Sequence, residues 1–441
     1  MTVDFLAKCK ELGIKYSIED KLKKTIRPDL CIDKVLPVPN KKFQYRDYQE
    51  QLLTSLCQAG RGVIISPTRS GKSLILAGLC YNILKNSDKN KIKNILLIVP
   101  NLQLVTQFYD DINDYYDKSF GNIMMFSSAE AKHNKGKFTF KDSNIIISNM
   151  QWLLLHGDEL PYIDCIIQDE VHTVKKGSEL SKLVKNVDIP VKFGCTGTLP
   201  AREEDRWNIK GIFGTILDEI EIQELQAKKV LAEVSINPIK FMHKTKESFR
   251  DMSNAKTVDD KIEVAKEEYR KESMYLATYE PTNKAIDNIA KGVIKQHPDW
   301  NVLILFDYIN SGENLFKLLD WDKKHYVDGT VDVSDRNDII EQMNSPEGGH
   351  ITVANCKCFG TGLTIKNIQC IMLVTSQSTV TKIIQAIGRG LRRVEKNTLI
   401  LFDMFHNYKY SEKHFKERTE LYKQFYNKEV DKDYTVKEVN V

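Results

Sequence analysis

Gly62-Val63-Ile64-Ile65-Ser66-Pro67-Thr68-Arg69-Ser70-Gly71-Lys72-Ser73-Leu74-Ile75-Leu76-Ala77-Gly78-Leu79 is the stretch on which the fold turns. A β-branched run enters a loop ending Ser-Gly-Lys-Ser, and an apolar helical stretch follows. In that context backbone amides and a helix N-terminus hold the β- and γ-phosphates of a nucleotide. Thr68, Ser70 and Gly71 belong to the loop, Lys72 brings positive charge to the phosphates, and the Ser73 hydroxyl is a ligand for Mg²⁺. The strict pattern has Gly where Ser66 stands, so a generic loop is the plain alternative for this segment alone.

A second segment strengthens the first. Cys165-Ile166-Ile167 reads as a strand that runs into Asp169-Glu170-Val171-His172. Adjacent carboxylates at a strand end, beside a phosphate loop, let Asp169 hold the magnesium while Glu170 activates water. A helix cap is the alternative for the tetrapeptide by itself. Far along the chain, Gln385-Ala386-Ile387-Gly388-Arg389-Gly390-Leu391-Arg392 can bring two guanidiniums to the same phosphates from another domain. A surface basic cluster would not need Gln385 and Gly388 at that spacing. The expected cofactors are therefore ATP and Mg²⁺.

Further strand-like runs alternate with helical stretches: Ile95–Val99, Ile145–Ser148 and Lys192–Cys195, then Val302–Phe306, His350–Ala354, Ile371–Val374 and Thr398–Phe402. That alternation signals parallel sheets with crossover helices, in two α/β domains. The divisions expected are a small appendage at 1–42, a first domain at 43–235, a charged helical connector without strand pattern at 236–285, and a second domain at 286–441. Phe415, Leu421, Tyr422 and Phe425 recur at helical spacing and predict a packed terminal helix.

Bulk properties narrow the class. With 441 residues, 41% hydrophobic and 28% charged, the chain suits two or three soluble domains. No apolar run approaches the roughly 18 residues of a membrane span, and the first twenty residues mix acids and lysines, so a soluble, intracellular protein without membrane contact is expected. Nine scattered cysteines read as reduced core thiols, and no cysteine metal site is expected. Net charge is +4; residues 1–42 carry ten Lys/Arg against six Asp/Glu, which leaves the remainder balanced. Contacts to a polyanion elsewhere must come from local patches and backbone donors.

Over residues 43–405 the chain resembles the superfamily 2 helicases and translocases, whose α/β fold has two RecA-like domains with parallel sheets in tandem. The motifs stand in family order. Tyr45-Arg46-Asp47-Tyr48-Gln49 is similar to the adenine-reading motif, with Gln49 at the base. Val99–Gln107 and Ser148–Gln151 resemble segments that track nucleic acid, and Thr196-Gly197-Thr198 resembles the motif that links hydrolysis to unwinding. Leu305–Tyr308 and Gly360–Ile365 take later places, and Gln385–Arg392 matches the arginine motif. Phe359–Asn367, the arginine motif and His414, Arg418 and Tyr422 resemble the UvsW-type recombination and repair helicases of T4-like bacteriophages.

The resemblance implies ATP-dependent work on branched DNA: fork regression, branch migration and removal of RNA from R-loops. It implies catalytic roles for Glu170, Arg392 and Arg389, nucleotide contacts from Gln49 and Gln385, and coupling through His172, Thr196 and Thr198. Arginines of this kind are worth roughly 10³ to 10⁵ in rate. Gln107, Gln151, Thr361 and Thr364 become candidate contacts to nucleic-acid phosphates, which carry no sequence information. Trp152 is either a stacking platform or core. The implied partner is branched or single-stranded DNA, or an RNA–DNA hybrid, met by a monomer or weak oligomer. RNA unwinding and a nucleotide-gated clamp without turnover are the competing readings. Two departures stand out: the amino-terminal appendage is short beside the family's type member, and Arg69 replaces the glycine common in the wider superfamily.

Overall fold

β1 (Gly62–Ile65) lies next to the edge of a seven-stranded sheet, and the loop that follows it opens at the carboxyl ends of the strands. The computed structural model describes residues 30–116, 121–186, 189–249, 257–356, 367–374 and 398–441, together with Gly13, Ile365, Ile387 and Gly388. The chain divides into two compact units, Met1–Glu221 and Ile222–Val441.

In the first unit β2 (Asn94–Val99), β3 (Asn122–Met125), β4 (Asn144–Asn149), β5 (Cys165–Asp169), β6 (Val191–Thr196) and β7 (Ile216–Glu219) complete the sheet, in the order β3-β4-β2-β5-β6-β1-β7. Every pairing is parallel. Parallel strands need crossovers, and helices on both faces leave the central strands buried throughout, which is why β4, β5 and β6 read as near-continuous apolar runs. The edge strands β3 and β7 are short and half-exposed. Each is only four residues long, and the sequence reading passed over them.

The second unit repeats the plan with β8 (Glu233–Met242), β9 (Val302–Phe306), β10 (Lys324–Val327), β11 (Ile351–Asn355), β12 (Cys370–Val374), β13 (Thr398–His406) and β14 (Lys437–Asn440), ordered β10-β11-β9-β12-β13-β8-β14. All of these pairings are parallel as well. Ile239, Phe241, Ile286, Ile304, Val353 and Met372 share its core.

One difference from the sequence reading concerns the charged connector. Its first residues finish β8, whose buried positions alternate with half-exposed ones and include Pro238. Proline cannot donate to a ladder and suits an edge. Here β14 pairs with β8 only from Ile239 onward, so Pro238 lies just outside that ladder. After β8 come the helices Val258–Thr278, begun by a Thr257–Asp260 capping box, and Glu280–Gln296, with proline at its start.

The helix Lys409–Tyr426 buries Phe415, Leu421 and Tyr422, and the chain then continues into β14. At the other end of the chain Leu30, Ile32, Val35 and Val38 are buried, and the Leu36 N–H donates to Asn82 Oδ1 at 2.8 Å. Five of the seven described cysteines are buried, and burial pushes the Cys57 and Cys80 thiols up to about 12. Among the described residues no helix is long and apolar enough to cross a membrane, and no cluster of three or more His, Cys, Asp or Glu could hold a metal.

Candidate active site

The loop after β1 is held from three sides. Ser66 N–H donates to Thr196 O at 2.8 Å, tying the loop to β6. Ser70 turns inward: its N–H and its hydroxyl donate to Pro67 O at 3.2 and 2.6 Å, and the Ser66 and Ser70 hydroxyls meet at 2.6 Å. Serine in place of the expected glycine at 66 thus adds a buried bond within the loop. From the helix Asp47–Ala59, Tyr48 Oη and Gln49 Nε2 both donate to Ser70 O, at 2.7 and 2.9 Å. Gln49 Oε1 accepts from Arg46 N–H at 2.9 Å. Gln49 therefore braces the loop with one end of its amide and caps its own helix with the other.

Gly71 precedes the helix Lys72–Lys85 at φ +83°, and a Cβ there would run into Gln49 Nε2. Glycine alone fits both demands. Arg69, two residues earlier, takes a left-handed φ of +70° that non-glycine residues seldom adopt.

The acidic pair arrives from β5, which neighbours β6 in the sheet. Asp169 is its last residue, and Glu170 turns the chain at φ +51° into the 3₁₀ turn Val171–Thr173. Glu170 N–H donates to Asp169 Oδ1 at 2.9 Å. Lys72 Nζ lies 2.8 Å from Glu170 Oε1, and His172 Nδ1 lies 3.1 Å from Oε2. His172 Nδ1 is also 2.9 Å from Thr196 Oγ1, whose proton goes to Thr198 O at 2.8 Å. A hydroxyl has one proton, so His172 Nδ1 is the donor to Thr196. A continuous path of contacts thus joins Lys72, Glu170, His172, Thr196 and Thr198.

These contacts set the charges. Burial works against ionised Glu170, but Lys72 and His172 hold its carboxyl below the usual range. Burial likewise opposes the Lys72 charge, and Glu170 and Asp169 override it and raise that amine. For Asp169, burial and the neighbouring Glu170 outweigh the opposing pull of Lys72 and push its carboxyl up to about 6. Two adjacent carboxylates and one lysine leave a negative surplus. A magnesium ion takes one or two carboxylates plus phosphate oxygens and water, and Asp169 with the Ser73 hydroxyl fits that donor set.

Among the other residues singled out in the sequence, Gln107 lies on the helix Leu102–Tyr115 and Gln151 is exposed on the first turn of Met150–His156. Trp152 is partly buried and packs against the core: its ring lies edge-on to Phe126 and stacks on His156 at 3.8 Å, and its Nε1 is buried. Gln385, Arg389, Arg392, Thr361 and Thr364 lie outside the described residues. The structure adds one group that the sequence did not mark. Asp111, on the helix Leu102–Tyr115, is partly buried, and burial pushes its carboxyl up to about 6 against the lowering effect of the nearby Ser73 and Gln107 side chains. An aspartate four residues after Gln107 reads as a solvated helix face, and only the packing of this helix on Lys72–Lys85 brings it to the loop.

A parallel-sheet unit with this loop, this acidic strand end and this threonine pair, followed by a second unit of the same plan, is the architecture of a superfamily 2 helicase, and the chain carries the two helicase domains of that class. Residues 42–201 match the family described as type III restriction enzyme, res subunit, and residues 283–394 match the helicase conserved C-terminal domain. The chain is 26% identical over 364 residues to the ATP-dependent DNA helicase uvsW of Enterobacteria phage T4, covering 82% of this chain and 68% of the relative. It is 21% identical over 418 residues to the DNA 3'-5' translocase XPB2 of Sulfurisphaera tokodaii, covering 88% and 89%. Among solved structures, Mss116p bound to ssRNA and AMP-PNP is similar at a TM-score of 0.62 and 13% identity, over 98% of this chain and 79% of that one. At that identity the likeness is one of fold alone.

Proposed function

We propose that this protein is a magnesium-dependent, DNA-stimulated ATPase that translocates on DNA and remodels branched structures by fork regression, branch migration and R-loop removal. The observation that carries the ATPase is the Lys72–Glu170–His172–Thr196 path. Glu170 is ionised and can take a proton from an attacking water. Lys72 is bound to Glu170 and exchanges that partner for a phosphate oxygen when ATP enters, which frees the base at the moment it is needed. Asp169 and Ser73 hold the magnesium ion, whose charge offsets that of the phosphates. Gln49 contacts the base while bracing the loop, Gln385 adds a nucleotide contact, and Arg389 and Arg392 neutralise charge that develops on the γ-phosphate. His172, Thr196 and Thr198 pass the state of Glu170 to the end of β6.

DNA as the track is supported by the likeness to a phage DNA helicase and an archaeal DNA translocase. Gln107, Gln151, Thr361 and Thr364 are assigned to backbone phosphates, so binding is independent of sequence and sensitive to salt. The test is ATP turnover and strand displacement on single strands, forks, four-way junctions, R-loops and RNA of equal length. Branched DNA should stimulate most, and Lys72→Ala and Glu170→Gln should lower turnover by about 10²- to 10⁴-fold, the range for a positioned acid–base group. Equal rates with and without DNA would overturn the reading, and greater stimulation by RNA would transfer it to an RNA track.

A further inference from the structure

The helix Glu203–Phe213 follows the threonine pair at the end of β6 and buries Ile209, Ile212 and Phe213 in the core of the first unit. Its outer face carries Trp207, which is 46% exposed, whereas the other three tryptophans of the chain are half-buried. The indole Nε1–H donates to Glu203 Oε1 at 3.3 Å, and Lys210 Nζ lies 5.6 Å from the ring centroid. Gly211, one helical turn on, puts no side chain beside the ring and stands in open space. Cations gather around it. Arg202, Arg206 and Lys210 belong to the helix or its start, and exposed Lys175 and Lys176 lie on the adjoining loop; against Glu203, Glu204 and the buried Asp205 these five leave a net charge of +2.

The same helix is tied to both segments that carry the site. Arg206 Nε donates to Pro200 O at 2.6 Å and so holds the chain just past Thr198. Asp205 Oδ1 accepts from Lys176 N–H at 2.9 Å, and Asn208 Nδ2 donates to Val174 O at 3.0 Å, which holds the chain just past His172. Whatever binds the outer face therefore bears on both ends of the path from Glu170 to Thr198.

A lone exposed aromatic calls for no explanation. A ring with lysine and arginine beside it is what a single strand fits, with a base stacked on the ring and phosphates on the cations. We propose that this face is a contact for single-stranded DNA, in which Trp207 stacks on an unpaired base while Lys210 and the remaining guanidinium N–H groups of Arg206 meet neighbouring phosphates. The proposal rests on the DNA reading and deepens it, by naming a strand contact outside the motif segments. In a duplex each base face is already covered by its neighbours, so the ring selects an unpaired base.

The experiment titrates the full chain with single-stranded oligothymidylate of about 16 nucleotides, following tryptophan emission and the anisotropy of a labelled strand. Binding should quench wild type and Trp300→Phe, a control in the second unit, and leave Trp207→Phe unquenched. Trp207→Ala should weaken the strand at least about fivefold, the lower end for a stacked base, and raise by the same factor the strand concentration that half-maximally stimulates ATP turnover. Lys210→Gln should flatten the slope of log affinity against log salt by about 0.7, the share of one phosphate. A blunt duplex of equal length should quench less. Thermal unfolding reports folding of each variant, and Trp207→Phe carries the test if Trp207→Ala does not fold. A full quench in Trp207→Phe, wild-type affinity in Trp207→Ala, an unchanged salt slope in Lys210→Gln, or an equal quench by duplex would each overturn the proposal. A wild-type chain that bound no strand would instead remove the DNA reading, and this proposal with it.

Discussion

Replacing Arg418 by methionine should unfold the second unit far more readily than any surface change. Arg418 and Asp403 are 1% and 0% exposed, on the helix Lys409–Tyr426 and on β13. Arg418 Nε lies 3.0 and 2.9 Å from the two Asp403 oxygens and Nη2 lies 2.7 Å from Oδ1. Tyr422 Oη donates to Oδ2 at 2.7 Å. Methionine fills much of the same volume but leaves the Asp403 carboxylate buried with a single neutral donor. Removing one partner of such a pair costs about 3–5 kcal/mol, whereas replacing the whole group by apolar residues is close to neutral. For a unit of this size about 1 kcal/mol moves the midpoint by about 2–4 °C, so a fall of about 6–20 °C is expected.

Calorimetry on the full chain follows the transition of the second unit in wild type, in Arg418→Met, and in a triple variant with Asp403→Leu and Tyr422→Phe. The triple variant should regain most of the loss. A shift below about 2 °C in Arg418→Met, against the several kcal/mol expected, or a triple variant as unstable as the single one, would refute the reasoning.

Two other expectations follow from the same kind of argument. Gly71→Ala forces a side chain into left-handed backbone, at about 1–2 kcal/mol, and against the Gln49 amide; nucleotide affinity should fall at least about tenfold, and wild-type affinity in titration calorimetry would contradict the brace. Acid should weaken the second unit before ordinary carboxylates titrate. Burial, with His243 beside it, lowers His406 to about 3, and burial with His350 beside it lowers His325 to about 4. Both imidazoles take up protons more readily unfolded, so the stability they confer is whole above the ordinary histidine range and is lost as pH falls from about 6.5 toward 4. Urea midpoints at pH 7.5, 6.5 and 5 should decline in that order, and a constant midpoint would show the pairs to be without effect.

Residues near one another in sequence carried most of the fold and the core of the site. β1, its loop and its helix are one local unit, and the central strands announce themselves because strands buried on both faces must be apolar throughout. Lys72, Asp169 and Glu170 were legible because phosphate, metal and base chemistry demands particular residue types at a strand end. The edge strands β3, β7, β10 and β14 were not legible. Each is four residues long, β7, β10 and β14 mix polar with apolar residues, and their strand character comes from the neighbour they pair with.

The same division runs through the site. Sequence order alone determined that the chain holds two parallel α/β units and a phosphate loop with an acidic partner strand, since these are properties of short segments. Tertiary structure decided that Lys72 spends its charge on Glu170 at 2.8 Å, that His172 donates to Thr196 and that Gln49 braces Ser70. Those contacts join residues from different elements, brought within hydrogen-bond range only when the sheet has closed and the helices have packed on it. The charge state of each group is a property of that enclosure, because burial and the neighbours it brings set the balance between charged and neutral forms.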